Sequence, residues 1–165
     1  MKKSVISGLF VFVFLLSGGV LQALAQTSVF MFIPGIPGNS VDARHADWID
    51  ILSLSQTLEE VAKGRPQCSI KAIKNLDSAG PLLWAAAVNG QIFPEVKIEF
   101  VRVQAAVRFY EIKLTNAFVA SISTDSDAAF PVESVVLKSA QVTITFWPQR
   151  PDGSLGQPVT STFSC

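Results

Sequence analysis

The stretch VKIEFVRV at residues 96–103 alternates between apolar and charged side chains. Val96 and Ile98 fall on one side of an extended chain, and Lys97 and Glu99 fall on the other. A period of two residues is typical of a β-strand with one face on a core and one face in water. This stretch therefore predicts a strand that forms part of a half-buried sheet.

Similar runs occur along most of the chain. They have β-branched or aromatic residues and are separated by turn residues, which indicates one antiparallel all-β domain. The run at 108–123 is either one strand or two strands split near Thr115 and Asn116. Loops are predicted over 33–47 and 58–67, and Asp152-Gly153 is the tightest turn signal within 150–158. The other predicted strands are 28–34, 48–55, 68–76, 134–148 and 158–164.

One segment, SAGPLLWAAAVNG at residues 78–90, has the composition of a helix instead. Ser78 is a suitable cap, Pro81 suits the first turn, and Asn89-Gly90 suits the end. Leu82, Leu83, Ala86 and Ala87 have helical spacing, so their face is expected to pack on the sheet.

The first 25 residues have the order of a secretory signal peptide. Lys2 and Lys3 precede an apolar run at 4–16, and Ala23-Leu24-Ala25 supplies small residues before a cleavage point. The alternative is an uncleaved membrane anchor, but the unbroken run is shorter than the ~20 residues of a spanning helix. We therefore predict cleavage after Ala25, a mature domain at 26–165 and no stable membrane insertion after cleavage.

Charge and composition argue against several classes of function. The chain has 13 basic and 13 acidic residues, and loss of Lys2 and Lys3 leaves 11 basic against 13 acidic, a formal charge of −2. A slightly acidic domain has no general affinity for nucleic acid or anionic lipid. No nucleic-acid partner is expected.

The two cysteines, Cys68 and Cys165, form an even pair in a chain that is expected to be exported. This pattern predicts a disulfide, and the alternative is a buried free thiol at Cys68 with a frayed terminus at Cys165. A loop of about a hundred residues closed by a disulfide gives ~4–5 kcal/mol of stabilisation by chain entropy.

No catalytic constellation stands out. His45 is the single histidine, with Asp42, Asp47 and Asp50 nearby, and no second histidine or cysteine pair completes a metal site. A Ser–His–Asp triad assembles in space and is not tested by spacing, but no G-x-S-x-G, phosphate-binding or dinucleotide motif is present. We expect neither enzymatic activity nor a cofactor.

The segment MFIPGIPGNSVDARHADWIDILSLS at 31–55 resembles the opening of haemolysin-coregulated proteins (Hcp), the tube subunits of type VI secretion systems. The resemblance continues through 74–102, 109–123 and 131–156, and covers about residues 29–163. The motif positions that carry it include Gly35, Gly38, Ser40, His45, Asp50, Asp77, Pro81, Asp152 and Gly153.

This resemblance implies a compact antiparallel β-barrel of two sheets with one short α-helix at the side. It also implies a non-catalytic subunit of homohexameric rings with a wide pore. Such rings stack into a secreted tube that carries small effectors or contacts other secretion-system components. The alternative is a monomeric exported binding or inhibitory module on the same barrel.

The signal peptide departs from the family pattern, because tube subunits of this family are made without one. Export would place the protein in the periplasm or outside the cell. Translation from Met31, where the family usually begins, would instead leave it in the cytoplasm. The signal order of residues 1–25 and the cysteine pair favour export.

Overall fold

The computed structural model describes residues 26–61, 65–126 and 130–165, so the expected signal peptide at 1–25 lies outside the described residues. Eight strands and one helix form the described chain, and all strand pairs are antiparallel. An all-β domain with one short helix is thereby confirmed. The elements are β1 Thr27–Phe32, β2 Ile49–Ile51, β3 Ser53–Val61, β4 Arg65–Asn75, α1 Ala79–Asn89, β5 Ile92–Arg102, β6 Val107–Asp125, β7 Val132–Phe146 and β8 Val159–Ser164.

The expected two sheets are halves of one hydrogen-bonded sheet, with strand order β2-β1-β5-β6-β7-β4-β3 and β8 beside β7. The long strands β6 and β7, of 19 and 15 residues, pass through both halves. The first part of β6 pairs with β5, while the first part of β7 pairs with β4 and its last part with β8. Because β6 and β7 are long enough to belong to both halves, the two expected sheets form one continuous sheet.

The sheet curls until its two ends meet. The strand predicted over 48–55 divides at Leu52 into β2, at one end of the strand order, and β3, at the other. The Leu52 N–H donates to the Ile73 carbonyl oxygen at 2.8 Å, so the residue that connects the two ends along the chain is itself hydrogen-bonded to β4. Closure of this kind leaves few free sheet edges.

The alternating residues that predict β5 face the interior as expected. Val96 and Ile98 are fully buried, and Ile112 and Leu114 of β6 lie beside them in the same cluster. Complete burial of each such aliphatic side chain contributes about 1.5–3 kcal/mol. The core therefore lies inside the curled sheet.

The helix packs through Leu83, Ala86 and, in part, Ala87, whereas Leu82, expected on the same face, is 42% exposed because it lies about 100° around the helix from Leu83. The helix ends at Gly90, which has a left-handed conformation with φ 60°. Its start differs from the expectation. The Ser78 side chain makes no cap hydrogen bond; Asp77 Oδ1 instead accepts the Ala79 N–H at 2.9 Å. The carboxylate can reach this amide because Asp77 lies just before the first turn.

Two other boundaries differ from the sequence prediction. The prediction of a loop over 58–67 is wrong for 58–61 and 65–67, because β3 and β4 pair from Ser53↔Ile73 out to Val61↔Arg65 as a long hairpin. Residues 62–64 of that prediction lie outside the described residues. Pairing along the hairpin overrides the weak strand propensity of its charged residues. The run at 108–123 forms one strand, β6, in which Asn116 takes a positive φ of 53° without ending the strand.

In the part of the chain that the structure describes, no helix has the length and apolar character needed to cross a membrane.

Candidate functional site

The loop between β1 and β2 folds back on itself around Gly38. The Gly38 N–H donates to the Asp47 carbonyl oxygen at 2.7 Å, and the Ser40 N–H donates to the Trp48 carbonyl oxygen at 3.0 Å. A methyl group at Gly38 would overlap the backbone of Trp48 and Ile49. Glycine is required at this position because two backbone segments pass so close together.

This loop carries His45 onto the barrel wall, where its ring is held between aromatic side chains. The ring stacks on Phe30 at a centroid distance of 4.2 Å, and Trp48 meets it edge-on at 4.8 Å. His45 is only 4% exposed. The single histidine is therefore a packing element of the wall.

Both nitrogens of the His45 ring face carboxylates. Nδ1 lies 2.7 Å from Asp42 Oδ1, and Nε2 lies 3.0 Å from Glu99 Oε2 on β5. The hydrogen bond from His45 is the main cause that lowers the pKa of Asp42. Burial acts to raise the pKa of Glu99, but hydrogen bonds from His45 and Arg108 lower it below its ordinary value.

Arg108 extends this network across the sheet. One guanidinium nitrogen donates to Glu99 at 2.7 Å and to Glu111 at 2.6 Å, and the guanidinium lies 4.5 Å from the centroid of Trp147. His45 and Arg108 thus tie the β1–β2 loop to β5 and β6. With both ring nitrogens engaged and the ring covered, His45 has no free atom with which to act on a substrate.

A second charged cluster lies where β4 leads into the helix. Lys74 is fully buried, and its ammonium group makes contacts of 2.7 Å with Asp77, Glu133 and the Asn75 carbonyl oxygen. Its three N–H donors are thereby satisfied. A methyl group on Gly80 would lie 2.8 Å from the Glu133 carboxylate, so the helix start packs tightly on this cluster.

Sequence spacing does not reveal this cluster. The short spacing between Lys74 and Asp77 is visible, but Glu133 lies 59 residues beyond Lys74. Similarly, the sequence shows His45 with its neighbours Asp42, Asp47 and Asp50, whereas its distant partner Glu99 is missed. These groups meet because strands distant in sequence pair with each other. The local sequence around each residue does not predict such contacts.

The predicted motif positions do not converge on one site. Asp50 is exposed on β2 opposite Phe30, and Pro81 is exposed in the first turn of α1. Asp152 accepts hydrogen bonds from the Ser154 amide at 2.9 Å and hydroxyl at 2.7 Å, and Gly153 in the same turn has a positive φ of 85°. Asp152 and Gly153 thus shape a turn, whereas Asp50 lies on a strand and Pro81 lies in the helix.

Cys68 and Cys165 are joined by a disulfide, with Cα atoms 5.4 Å apart and a sequence separation of 97. The bond lies in an open cleft of about 280 Å³ that is also lined by Phe118 and Lys138. Over the described ranges, no group of three or more histidine, cysteine or acidic side chains could hold a metal ion.

The outer face of α1 is apolar and uncharged. We call the exposed side chains Trp84 and Val88, which lie four residues apart on one side of the helix, the α1 outer face; Val88 is 83% exposed. Leu82 is also exposed but lies about 160° around the helix from Trp84, and Ile92 is 64% exposed on β5. Single exposed apolar residues are normal on a surface, but two large ones side by side form a small apolar patch that a partner can cover.

The curled antiparallel sheet and its single helix define a β-barrel-like class of fold. The model of the family "Type VI secretion system effector, Hcp" matches residues 30–146. The chain belongs to this family, which confirms the resemblance seen in the sequence.

Similar proteins agree with that assignment. "Protein hcp1" of Pseudomonas aeruginosa is 27% identical over 146 residues, which cover 79% of this chain and 90% of that protein. A solved type six secretion system protein superposes with a TM-score of 0.76 at 22% identity, covering 84% of this chain and 96% of its own. Hcp1 from Salmonella typhimurium gives 0.72 at 19% identity, with 84% and 94% covered. At these identities the two structures show a shared fold.

Proposed function

We propose that this protein is a non-catalytic, ring-forming Hcp protein that acts outside the cytoplasm, either as a tube subunit or as an exported relative of tube subunits. The observation that carries the proposal is the family match over residues 30–146, which runs from β1 to the end of β7. The match therefore spans most of the barrel.

The polar clusters support a structural function. The His45 ring is held by Asp42 and Glu99, and the Lys74 ammonium group by Asp77 and Glu133. Catalytic acids and bases need access to a substrate, whereas these groups are committed to each other. Their positions fix the loop and the helix against the barrel.

The exposed apolar side chains support assembly with further copies of the chain. The α1 outer face and Phe32, which is 39% exposed on β1, belong to different elements. A ring needs two different surfaces on each subunit, because each copy presents one surface to its left neighbour and another to its right. We propose a homohexameric ring, able to stack, with small effectors or other secretion-system components as partners.

Two observations support the proposed localisation outside the cytoplasm. Residues 1–25 follow the charged, apolar and small-residue order of a signal peptide. The Cys68–Cys165 disulfide is of a kind that persists in oxidising compartments. A cytoplasmic product starting at Met31 would meet a reducing environment.

Expression of the full chain in a Gram-negative host, followed by recovery of the periplasmic fraction, tests the proposal. We expect an N-terminus at Gln26 and, in native mass spectrometry, a species with six times the subunit mass. A chain in which an initiator Met directly precedes Gln26 lacks residues 1–25, keeps β1 whole and provides the cytoplasmic control. A periplasmic product that stays monomeric over the whole accessible concentration range would favour the monomeric binding module. A product found only in the cytoplasm would refute export.

A further inference from the structure

Strands β4 and β8 share one edge of β7. The β4 residues Ser69–Asn75 pair with the first half of β7, and β8 pairs with its second half, from Gln141 to Phe146. Because both strands are antiparallel to β7, they run in the same direction and follow each other along that edge. At the junction between them, the Cys165 N–H donates to the Ala140 carbonyl oxygen of β7 at 2.9 Å.

Beyond this junction, the β3–β4 hairpin leaves β7. Residues 65–68 pair with residues 58–61 of β3 and have no register with β7. We call these two short segments the hairpin arm. Leu58 in the arm is 61% exposed, and Pro66 and Gln67 are exposed as well. A two-stranded ribbon is marginally stable in water unless a further strand or a helix packs on it.

The disulfide lies at this junction. It connects Cys68, the last arm residue before β4 joins β7, to Cys165, the residue that follows β8. β8 is itself weakly held, since it is a terminal edge strand and five of its six residues are exposed. One covalent bond thus holds together two of the least buried pieces of the barrel.

We propose that the Cys68–Cys165 disulfide is a redox latch: the oxidised protein holds the hairpin arm and β8 in the positions needed for assembly, and the reduced protein releases both while its barrel stays folded. The assembly part of this inference rests on the proposed ring function. The release of the two segments does not depend on it.

Access to the bond is unequal, which sets the chemistry of opening. Cys68 is buried, whereas Cys165 is partly exposed in the cleft of about 280 Å³. A thiolate of an incoming dithiol attacks Cys165 Sγ, forms a mixed disulfide and expels the Cys68 thiolate. The second thiol of the dithiol then displaces the Cys165 thiolate. The dithiol is oxidised to a disulfide, and both cysteines end as thiols after taking up its two protons.

The latch links assembly to compartment. Cytosolic reductants keep thiols reduced, and oxidation becomes favourable after export. A newly made chain would therefore keep its arm and β8 loose until it leaves the cytoplasm. Rings would form only at the destination.

Hydrogen exchange of the periplasmic full-chain product, measured with and without dithiothreitol, tests the latch. We expect reduction to abolish amide protection in the hairpin arm and β8, while β5 and α1 keep theirs. Native mass spectrometry of the same samples should change from the ring to the monomer. The Cys165→Ala variant, which cannot form the bond, should behave as the reduced protein does and should not respond to dithiothreitol.

The outcomes separate the two proposals. If the oxidised protein is monomeric, the ring proposal is refuted. The hydrogen-exchange data then still show whether reduction releases the hairpin arm and β8. A reduced protein that keeps its ring, or keeps arm and β8 protection, refutes the latch and leaves the ring intact. Loss of protection throughout the barrel also refutes the latch, because the bond would then hold the whole fold.

Discussion

Replacement of the buried Lys74 ammonium group is the sharpest test of how α1 is held on the barrel. In the Lys74→Met variant the side chain keeps a similar length but loses its charge and its three donors. Glu133, which is 3% exposed, then loses its ion-pair partner, and Asp77 loses its contact beside the helix start.

The expected loss of stability follows from this burial. Removal of one partner of a buried ion pair costs about 3–5 kcal/mol, because the remaining charge stays away from water without compensation. The double variant Lys74→Met/Glu133→Leu removes both charges of the pair and should recover part of the loss, since apolar replacement of a whole buried pair is often neutral or stabilising.

Urea unfolding measures the effect. The midpoint should fall for Lys74→Met with little change in the slope that reports surface exposure. Lys71→Met is the matched control, because Lys71 lies earlier on the same strand with its side chain exposed; its midpoint should stay close to that of the original protein. If Lys74→Met were as stable as Lys71→Met, or if Lys74→Met/Glu133→Leu recovered no stability, the proposed role of the cluster would be refuted.

Two further predictions concern the β1–β2 loop. Because the pKa values of Asp42 and Glu99 are lowered in the folded state, their stabilising contribution is present at neutral pH and is lost as pH falls below about 4. Unfolding curves between neutral and acidic pH should show a weaker acid dependence in His45→Gln, and an unchanged dependence would contradict the network. Gly38→Ala should destabilise towards the upper end of the roughly 1–3 kcal/mol of overpacking, since its methyl meets fixed backbone. Gly35→Ala, with open space but a φ of 78°, should cost about 1 kcal/mol, and a larger loss than for Gly38→Ala would overturn the assignment.

The strands and the helix could be predicted because their signals are local. The alternation of Val96 and Ile98 with charged neighbours predicts which face of the strand packs on the core. This prediction does not require knowing which strand pairs with it. The helix from Ala79 to Asn89 has few β-branched residues and ends at a glycine. Both properties can be read within one stretch of chain.

What the sequence misses depends on distant pairing. The paired segments 58–61 and 65–67 lack an apolar alternation, and they form strands because β4 is already held by β7 further along. The joining of two sheet halves through β6 and β7, and the meeting of His45 with Glu99, are likewise settled by register between remote strands. In each case, tertiary packing decides what local composition leaves open.

Electron microscopy of the purified periplasmic protein in negative stain can show whether the exported Hcp barrel forms rings. We expect class averages of a closed ring with sixfold symmetry and an open centre in oxidising buffer. Particles of single-barrel size, with no rings at any protein concentration in that buffer, would contradict it.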